Sequence, residues 1–199
     1  MSLIIIDTGC ANLSSVAFAF RRLGVESEIT AVGSRIEQAD RVVLPGVGSA
    51  PYAMQKIRDR NLVPVVRGLK QPVLGICLGM QLLFETLEEG DQQVEGFGVV
   101  KGHVGALDTQ NNPSPHMGWN TLSTVKDDPL LKGIGDNEYA YFVHSFAAPV
   151  GGYTLMKCDY GSSFSAIIRQ GNFRGCQFHP ERSSATGSRI LKNFLDLPA

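Results

Sequence analysis

The stretch VLGICLGMQ, Val73 to Gln81, limits what this chain can become more than any other. An apolar, strand-like run stops at a cysteine, and a helix-like run starts at the next residue. Glycines flank the cysteine, giving Gly75-Ile76-Cys77-Leu78-Gly79, or G-x-C-x-G. This is the sulfur counterpart of the G-x-S-x-G elbow, in which a buried strand turns sharply into a helix and lifts a nucleophile above the sheet. A Cβ at either glycine would crowd the neighbouring strand or helix. Such an elbow needs a sheet beneath it and a helix after it, so an α/β fold is expected.

The first half of the chain keeps that rhythm. Leu3 to Asp7 (LIIID) is too continuously apolar for a half-exposed strand and reads as buried. Asn12 is placed to cap a helix carrying Val16, Ala19, Phe20 and Leu23, with Gly24 as its stop. Arg41 to Leu44 (RVVL) reads as a strand ended by Pro45-Gly46, and helical patterns run from Tyr52 to Leu69. Pro72 opens the strand VLGI, and a helix is expected from Leu78 to about Leu87. Alternation of this kind predicts a largely parallel central sheet flanked by helices.

In the second half, Phe97 to Leu107, Tyr139 to Val143, Thr154 to Tyr160, Phe164 to Arg169 and Phe173 to Phe178 read as strands joined by turns rich in Gly, Pro, Asn and Asp. Antiparallel pairing is expected there, which makes the sheet mixed. Ala185 to Leu195 closes the chain as a helix. No repeat or linker interrupts the 199 residues. They are expected to form one domain, 1–199, of a size that buries about 70% of the unfolded chain's surface.

Composition removes several function classes. With 18 basic and 19 acidic residues the formal net charge is −1, and no basic stripe stands out, which argues against nucleic acid or an anionic membrane as partner. No apolar stretch reaches the roughly 20 residues that span a bilayer. The opening MSLIIIDTGC has no cationic leader and reads as a first strand rather than a signal peptide. Cys10, Cys77, Cys158 and Cys176 are widely spaced and form no C-x-x-C, so neither a disulfide framework nor a zinc site is expected, and a reducing cytoplasm is the default. Cys10, Cys158 and Cys176 read as ordinary buried thiols. Cys77 stands apart because strand, glycine pair and helix all agree on a nucleophile presented at the bend, where a helix N-terminus favours a thiolate.

A nucleophile needs a base. None of His103, His116, His144 and His179 pairs with another at metal-ligand spacing, so no metal is expected. His179 lies in Phe178-His179-Pro180-Glu181, just past a predicted strand. In an extended segment residues two apart point the same way, so Glu181 can fix the tautomer of His179. Cys77, His179 and Glu181 then form a nucleophile, base and orienter. A free thiol of pKa near 8.5 is about 3% ionised at pH 7; lowering it two units gives about 75% thiolate. Because nucleophilicity falls with pKa, the net gain is only about threefold. Oxyanion stabilisation, worth ~10²–10³ per donor, must contribute more. The backbone N–H of Leu78 is one candidate donor. The loop Pro45-Gly46-Val47-Gly48 is the other, since its glycines let a backbone amide approach a ligand closely.

GICLGMQ together with FHPE resembles the class I glutamine amidotransferases. PGVG at Pro45 to Gly48, PHMGWN at Pro115 to Asn120 and YFVHSF at Tyr141 to Phe146 narrow the resemblance to the branch of glutaminase subunits serving imidazole glycerol phosphate synthases of histidine biosynthesis. DTGCANL at Asp7 to Leu13 and QFHPERS at Gln177 to Ser183 extend it along essentially the whole chain. The resemblance implies a flavodoxin-like class I amidotransferase architecture and no cofactor. It implies that Cys77 attacks the side-chain amide of glutamine, that N–H groups of Leu78 and of Gly46 or Val47 hold the oxyanion, and that Gly48, Gln81, Ser145 and Phe146 hold the substrate. It implies a (βα)₈-barrel cyclase as partner in a heterodimer, with Asn12, Met117, Trp119 and Tyr141 at the interface, and low glutaminase activity without the liganded cyclase. Trp119, the only tryptophan, is expected in a Pro-rich loop, where an aromatic side chain suits a docking contact.

The triad alone also fits a glutaminase feeding another synthase, such as those making anthranilate or GMP; PHMGWN argues against that. A non-catalytic synthase-binding scaffold is a further alternative, and the joint presence of Cys77, His179 and Glu181 speaks against it. A cysteine peptidase would need an extended substrate cleft that no segment suggests.

Overall fold

A computed structural model describes residues 1–9 and 13–198. Cys10 and Asn12, with the helix cap and interface position expected at Asn12, lie outside the described residues. In chain order the elements are β1 (Leu3–Ile6), α1 (Leu13–Arg22), β2 (Glu28–Thr30), α2 (Gly33–Glu37), β3 (Arg41–Gly46), α3 (Ala50–Asp59), α4 (Leu62–Gly68), β4 (Val73–Cys77), α5 (Leu78–Gln81), β5 (Phe84–Glu89), β6 (Gln92–Glu95), β7 (Val100–Ala106), β8 (His116–Thr121), β9 (Ser123–Thr124), β10 (Tyr139–His144), β11 (Phe146–Ala147), β12 (Thr154–Tyr160), β13 (Ser162–Gln170), β14 (Phe173–Cys176) and α6 (Ser184–Asp196). Short 3₁₀ turns occupy Pro129–Leu131 and Pro180–Arg182.

Among the described residues the main sheet has eight strands in the order β2-β1-β3-β4-β14-β13-β12-β9. The pairs from β2 through β14 are parallel, and those from β14 through β9 are antiparallel. The mixed sheet read from the sequence is therefore present, with its antiparallel half where the turn-rich segments lie. Successive residues of β1 feed two cores: Leu3 and Ile5 pack on one face with Phe20, Phe142, Phe178 and Phe194, whereas Ile4 and Ile6 pack on the other with Leu44, Met54 and Phe84. Burial on both faces is why β1 and β3 read as unbroken apolar runs.

Five local expectations need correction. The helix after Cys77 ends at Gln81, and Phe84–Glu89 is strand β5. β5 pairs antiparallel with β6 and parallel with β7, and its register slips between Phe84 and Thr86. That irregularity resets the alternation of faces, so Phe84 and Leu87 are both buried at a spacing that mimics a helix. β3 runs through Pro45 and Gly46 instead of ending at Leu44, with Gly46 opposite Cys77. Trp119 lies in β8, not in a loop, and β8 pairs antiparallel with β10. Residues 97–99 precede β7, and β14 stops at Cys176. Among the described residues no helix is long and apolar enough to cross a membrane.

Candidate active site

The elbow is built by the absence of side chains. Cys77 ends β4 with φ 53° and ψ −114°, a left-handed conformation costly for a residue with a Cβ. The chain then enters α5 at once. A Cβ on Gly79 would lie 1.8 Å from the carbonyl oxygen of Leu44, and one on Gly75 would lie 2.8 Å from the Cα of Met80. α5 therefore rests directly on β3 and β4, which is the crowding expected of G-x-C-x-G. With only four residues, α5 contributes little as a dipole; the tight turn is its main effect.

The register explains how distant residues meet. β4 and β14 are parallel neighbours with Cys176 opposite Ile76, so Cys77 and the segment leading to His179 leave the same sheet edge side by side. The C-terminal edge of parallel strands is where α/β folds bind ligands. Cys77 and His179 border the same cavity, and His179 Nδ1 lies 2.8 Å from Glu181 Oε1. The alignment of His179 and Glu181 does not come from an extended strand. Pro180–Arg182 turns as a 3₁₀ helix, and the turn brings the carboxylate back to the ring. Burial pulls the His179 imidazole down, but its hydrogen bonds to Cys77 and Glu181 and the charges of both outweigh that and hold it up at about 10. Gln177 Nε2 donates to Cys77 Sγ at 3.8 Å, a donor suited to a thiolate.

A cavity of about 370 Å³ opens over this edge. Cys77, Leu78, Val47, Gly48, Gln81, Ser145, Phe146 and His179 line it, so these expected residues are brought together. Gly46 is not in the lining; it lies beneath, where a Cβ would meet Gly79 N at 2.5 Å. Gln81 is buried and donates through Nε2 to Phe146 O at 2.9 Å and to Gln177 Oε1 at 3.0 Å. Both amide protons are thus engaged, leaving Oε1 as the group Gln81 offers to a ligand.

Three polar lining residues were not anticipated. Glu88 and Glu89 come from β5, and each is anchored through Oε2, to Ala106 N at 3.1 Å and to Ala50 N respectively. Their run, LEEGD, looks like a solvated helix end, and only the strand pairing turns it toward the cavity. His144 also lines the cavity and bonds His116 at 3.0 Å. Twenty-eight residues separate these two in sequence, and the β8–β10 register places them opposite each other. Burial pushes His116 down to about 4; burial, helped by the charges of His116 and His179, pushes His144 down to about 3. Among the described residues no group of His, Cys, Asp and Glu is arranged to hold a metal ion.

Met117 and Trp119 are more than half exposed on β8, and Trp119 faces Tyr141 of β10 with ring centroids 5.9 Å apart. Trp119 is not a core residue. Cys158 and Cys176 are buried, as expected. Burial pushes the Cys158 thiol up to about 12, and burial with the Glu181 charge raises Cys176.

Residues 4–197 match the family model described as glutamine amidotransferase class-I. The chain is 53% identical to imidazole glycerol phosphate synthase subunit HisH of Colwellia psychrerythraea, covering 98% of this chain and 92% of that one. It is 49% identical to the subunit HisH of Photorhabdus laumondii, covering 99% and 100%. Among solved structures, one titled as a glutamine amidotransferase superposes with a TM-score of 0.74 at 18% identity, covering 97% of both chains. The glutaminase domain of Trypanosoma brucei CTPS superposes with a TM-score of 0.68 at 15% identity, covering 100% of this chain and 96% of the other. At such identities the superpositions speak for the fold alone.

Proposed function

The chain belongs to the class-I glutamine amidotransferase family, and from that premise we propose that it is the glutaminase subunit of an imidazole glycerol phosphate synthase, acting in histidine biosynthesis. The observation that carries the catalytic part is the Cys77–His179–Glu181 line at the sheet edge, with Glu181 2.8 Å from the ring. Residues 1–199 act as one amidotransferase domain, a reading supported by two apolar cores that share one sheet.

In this mechanism the Cys77 thiolate attacks the side-chain amide carbon of glutamine. The developing oxyanion takes the N–H of Leu78 and an N–H from the Gly46–Val47 segment beside it. His179, charged and oriented by Glu181, gives its proton to the nitrogen as the C–N bond breaks, and ammonia leaves. The neutral ring then takes a proton from water, which hydrolyses the thioester to glutamate and returns Cys77. At the other end of the substrate the α-ammonium suits Glu88, Glu89 and the oxygen of Gln81, while Gly48, Ser145 and Phe146 supply backbone polar groups.

Ammonia in neutral water is mostly ammonium, which has no lone pair to attack with. A glutaminase that feeds a synthesis therefore needs a docked partner and a sheltered path. The partner in this reading is a (βα)₈-barrel cyclase, bound over the face carrying Met117, Trp119 and Tyr141. The test is to mix the chain with such a cyclase and measure glutamate release with and without the cyclase's nucleotide substrate. Release that rises when both are present supports the assignment. Full activity of the isolated chain, or none in the mixture, counts against it.

A further inference from the structure

His116 and His144 form a buried pair that the amide-cleaving steps do not use. Their hydrogen bonds have a forced direction. The carbonyl of Phe146 can only accept, so His144 Nδ1, 2.9 Å away, carries a proton. A neutral ring then has its lone pair on Nε2, which accepts from His116 Nδ1–H at 3.0 Å. That leaves a lone pair on His116 Nε2, which accepts from Asn120 Nδ2 at 3.3 Å. A second proton on either ring would set two N–H groups against each other.

The surroundings enforce neutrality. His116 lies between the rings of Tyr160 and Phe142, with centroids 4.0 Å and 4.8 Å away. Burial holds His144 neutral most strongly; the Phe146 carbonyl favours a further positive charge there, whereas His116 and His179 oppose it. The chain ends where the glutamine pocket begins, because the same Phe146 carbonyl accepts from Gln81 Nε2 at 2.9 Å. Gln81 continues to Gln177, and Gln177 to Cys77 Sγ.

We propose that His144, held in its Nδ1–H tautomer by His116, is a positioning residue for glutamine: it fixes the Phe146 carbonyl and thereby the amide of Gln81, so that Gln81 presents its oxygen to the substrate. This deepens the glutaminase reading and rests on it. Without the donation from His144, the Phe146 carbonyl loses one of its two donors and is held less firmly, and the Gln81 amide that donates to it is less well oriented toward the cavity.

The experiment compares His144→Leu, His144→Asn and His144→Gln in complex with the cyclase, by steady-state kinetics in glutamine. The Asn amide nitrogen falls near Nδ1 and keeps the donor to Phe146; the Gln amide reaches the Nε2 position and does not. Leu and Gln variants are expected to raise KM about tenfold, the size of one lost hydrogen bond, and to change kcat less than about threefold, while Asn recovers most of the loss. An Asn variant as impaired as Gln, or losses confined to kcat, overturns the proposal. Nitrogen NMR of the wild-type imidazoles supplies a check independent of folding and of activity. Both rings are expected neutral with the proton on Nδ1 from about pH 6 to 8, and a proton on Nε2 or a charged ring in that range overturns it. If the wild-type complex releases no glutamate, the functional reading fails, and the spectra still decide whether the tautomer chain exists.

Discussion

Gly79 stands so close to Leu44 that a single added methyl carbon would sit 1.8 Å from the Leu44 carbonyl oxygen. Backbone on both sides of that contact is fixed, by β3 pairing with β4 and by the elbow itself. Gly79→Ala is therefore expected to cost about 3 kcal/mol or more, at the upper end of core overpacking, and to abolish glutamine hydrolysis. Gly68→Ala, at the end of α4 with nothing within 4 Å of the added carbon, is the control and is expected to be neutral or slightly stabilising. Urea unfolding of both variants checks this. A Gly79→Ala protein of wild-type stability would mean that α5 does not rest on β3.

Removing the sulfur separates ammonia release from ammonia use. Cys77→Ala in the complex with the cyclase is expected to lose glutamine-dependent synthesis, by at least about a thousandfold, while synthesis from added ammonium salt persists near the wild-type rate. The two rates are measured on one preparation, so a folding defect would lower both. Glutamine-dependent turnover that survives in the variant would remove Cys77 from the mechanism.

The thiols should differ in reactivity. Cys77 lines the cavity with Gln177 and His179 at its sulfur, whereas burial raises Cys158 and Cys176. Cys77 is itself only 8% exposed, but it borders the cavity, and brief treatment with iodoacetamide followed by peptide mapping is expected to label it at least about tenfold faster than Cys158 or Cys176, because the thiolate is the reacting form. Equal labelling of Cys77 and Cys158 would contradict the geometry.

His179 gives a pH signature whose sign follows from its raised value. The folded chain holds this proton up to about 10, whereas an unfolded histidine releases it near 6.5. Between those values the folded state binds more protons than the unfolded state, so this stabilisation is full below about 6.5 and is lost as pH rises through about 10. Urea midpoints are expected to fall from pH 7 to pH 9.5, and to fall less in Cys77→Ala, which lacks one of the groups that raise His179. Equal slopes in the two proteins would show that the sulfur does not act on the ring.

These expectations also show what a sequence displays and what it conceals. The elbow and β1 were legible because buried parallel strands write continuous apolar runs and because so tight a turn demands glycine. Cys77, His179 and Glu181 could be found because each sits in a short local pattern. β5 was hidden because an irregular register gave Phe84 and Leu87 a helical spacing. β8 was hidden because Gly118 and the prolines before it resemble a loop. β2 is a short strand at the sheet edge with little buried surface, so its residues carry little pattern. Glu89 and His144 reach the cavity only through pairing between strands far apart in sequence, and nothing in their own neighbourhoods announces it.

Trp119 tests the partner face. It is about half exposed, packs edge-on against Tyr141, and lies on a two-stranded ribbon beside exposed Met117. A large apolar side chain left in water contributes little to folding, but in the centre of an interface it can supply 2 kcal/mol or more, about a thirtyfold change in affinity. Trp119→Ala is thus expected to lower the thermal midpoint by no more than about 2 °C, since each kcal/mol shifts a chain of this size by roughly 2–4 °C. Binding to the (βα)₈-barrel cyclase, followed by titration calorimetry, should weaken at least about thirtyfold. Wild-type affinity in the variant would move the docking face elsewhere on the chain, and a midpoint loss as large as the binding loss would return Trp119 to a structural role.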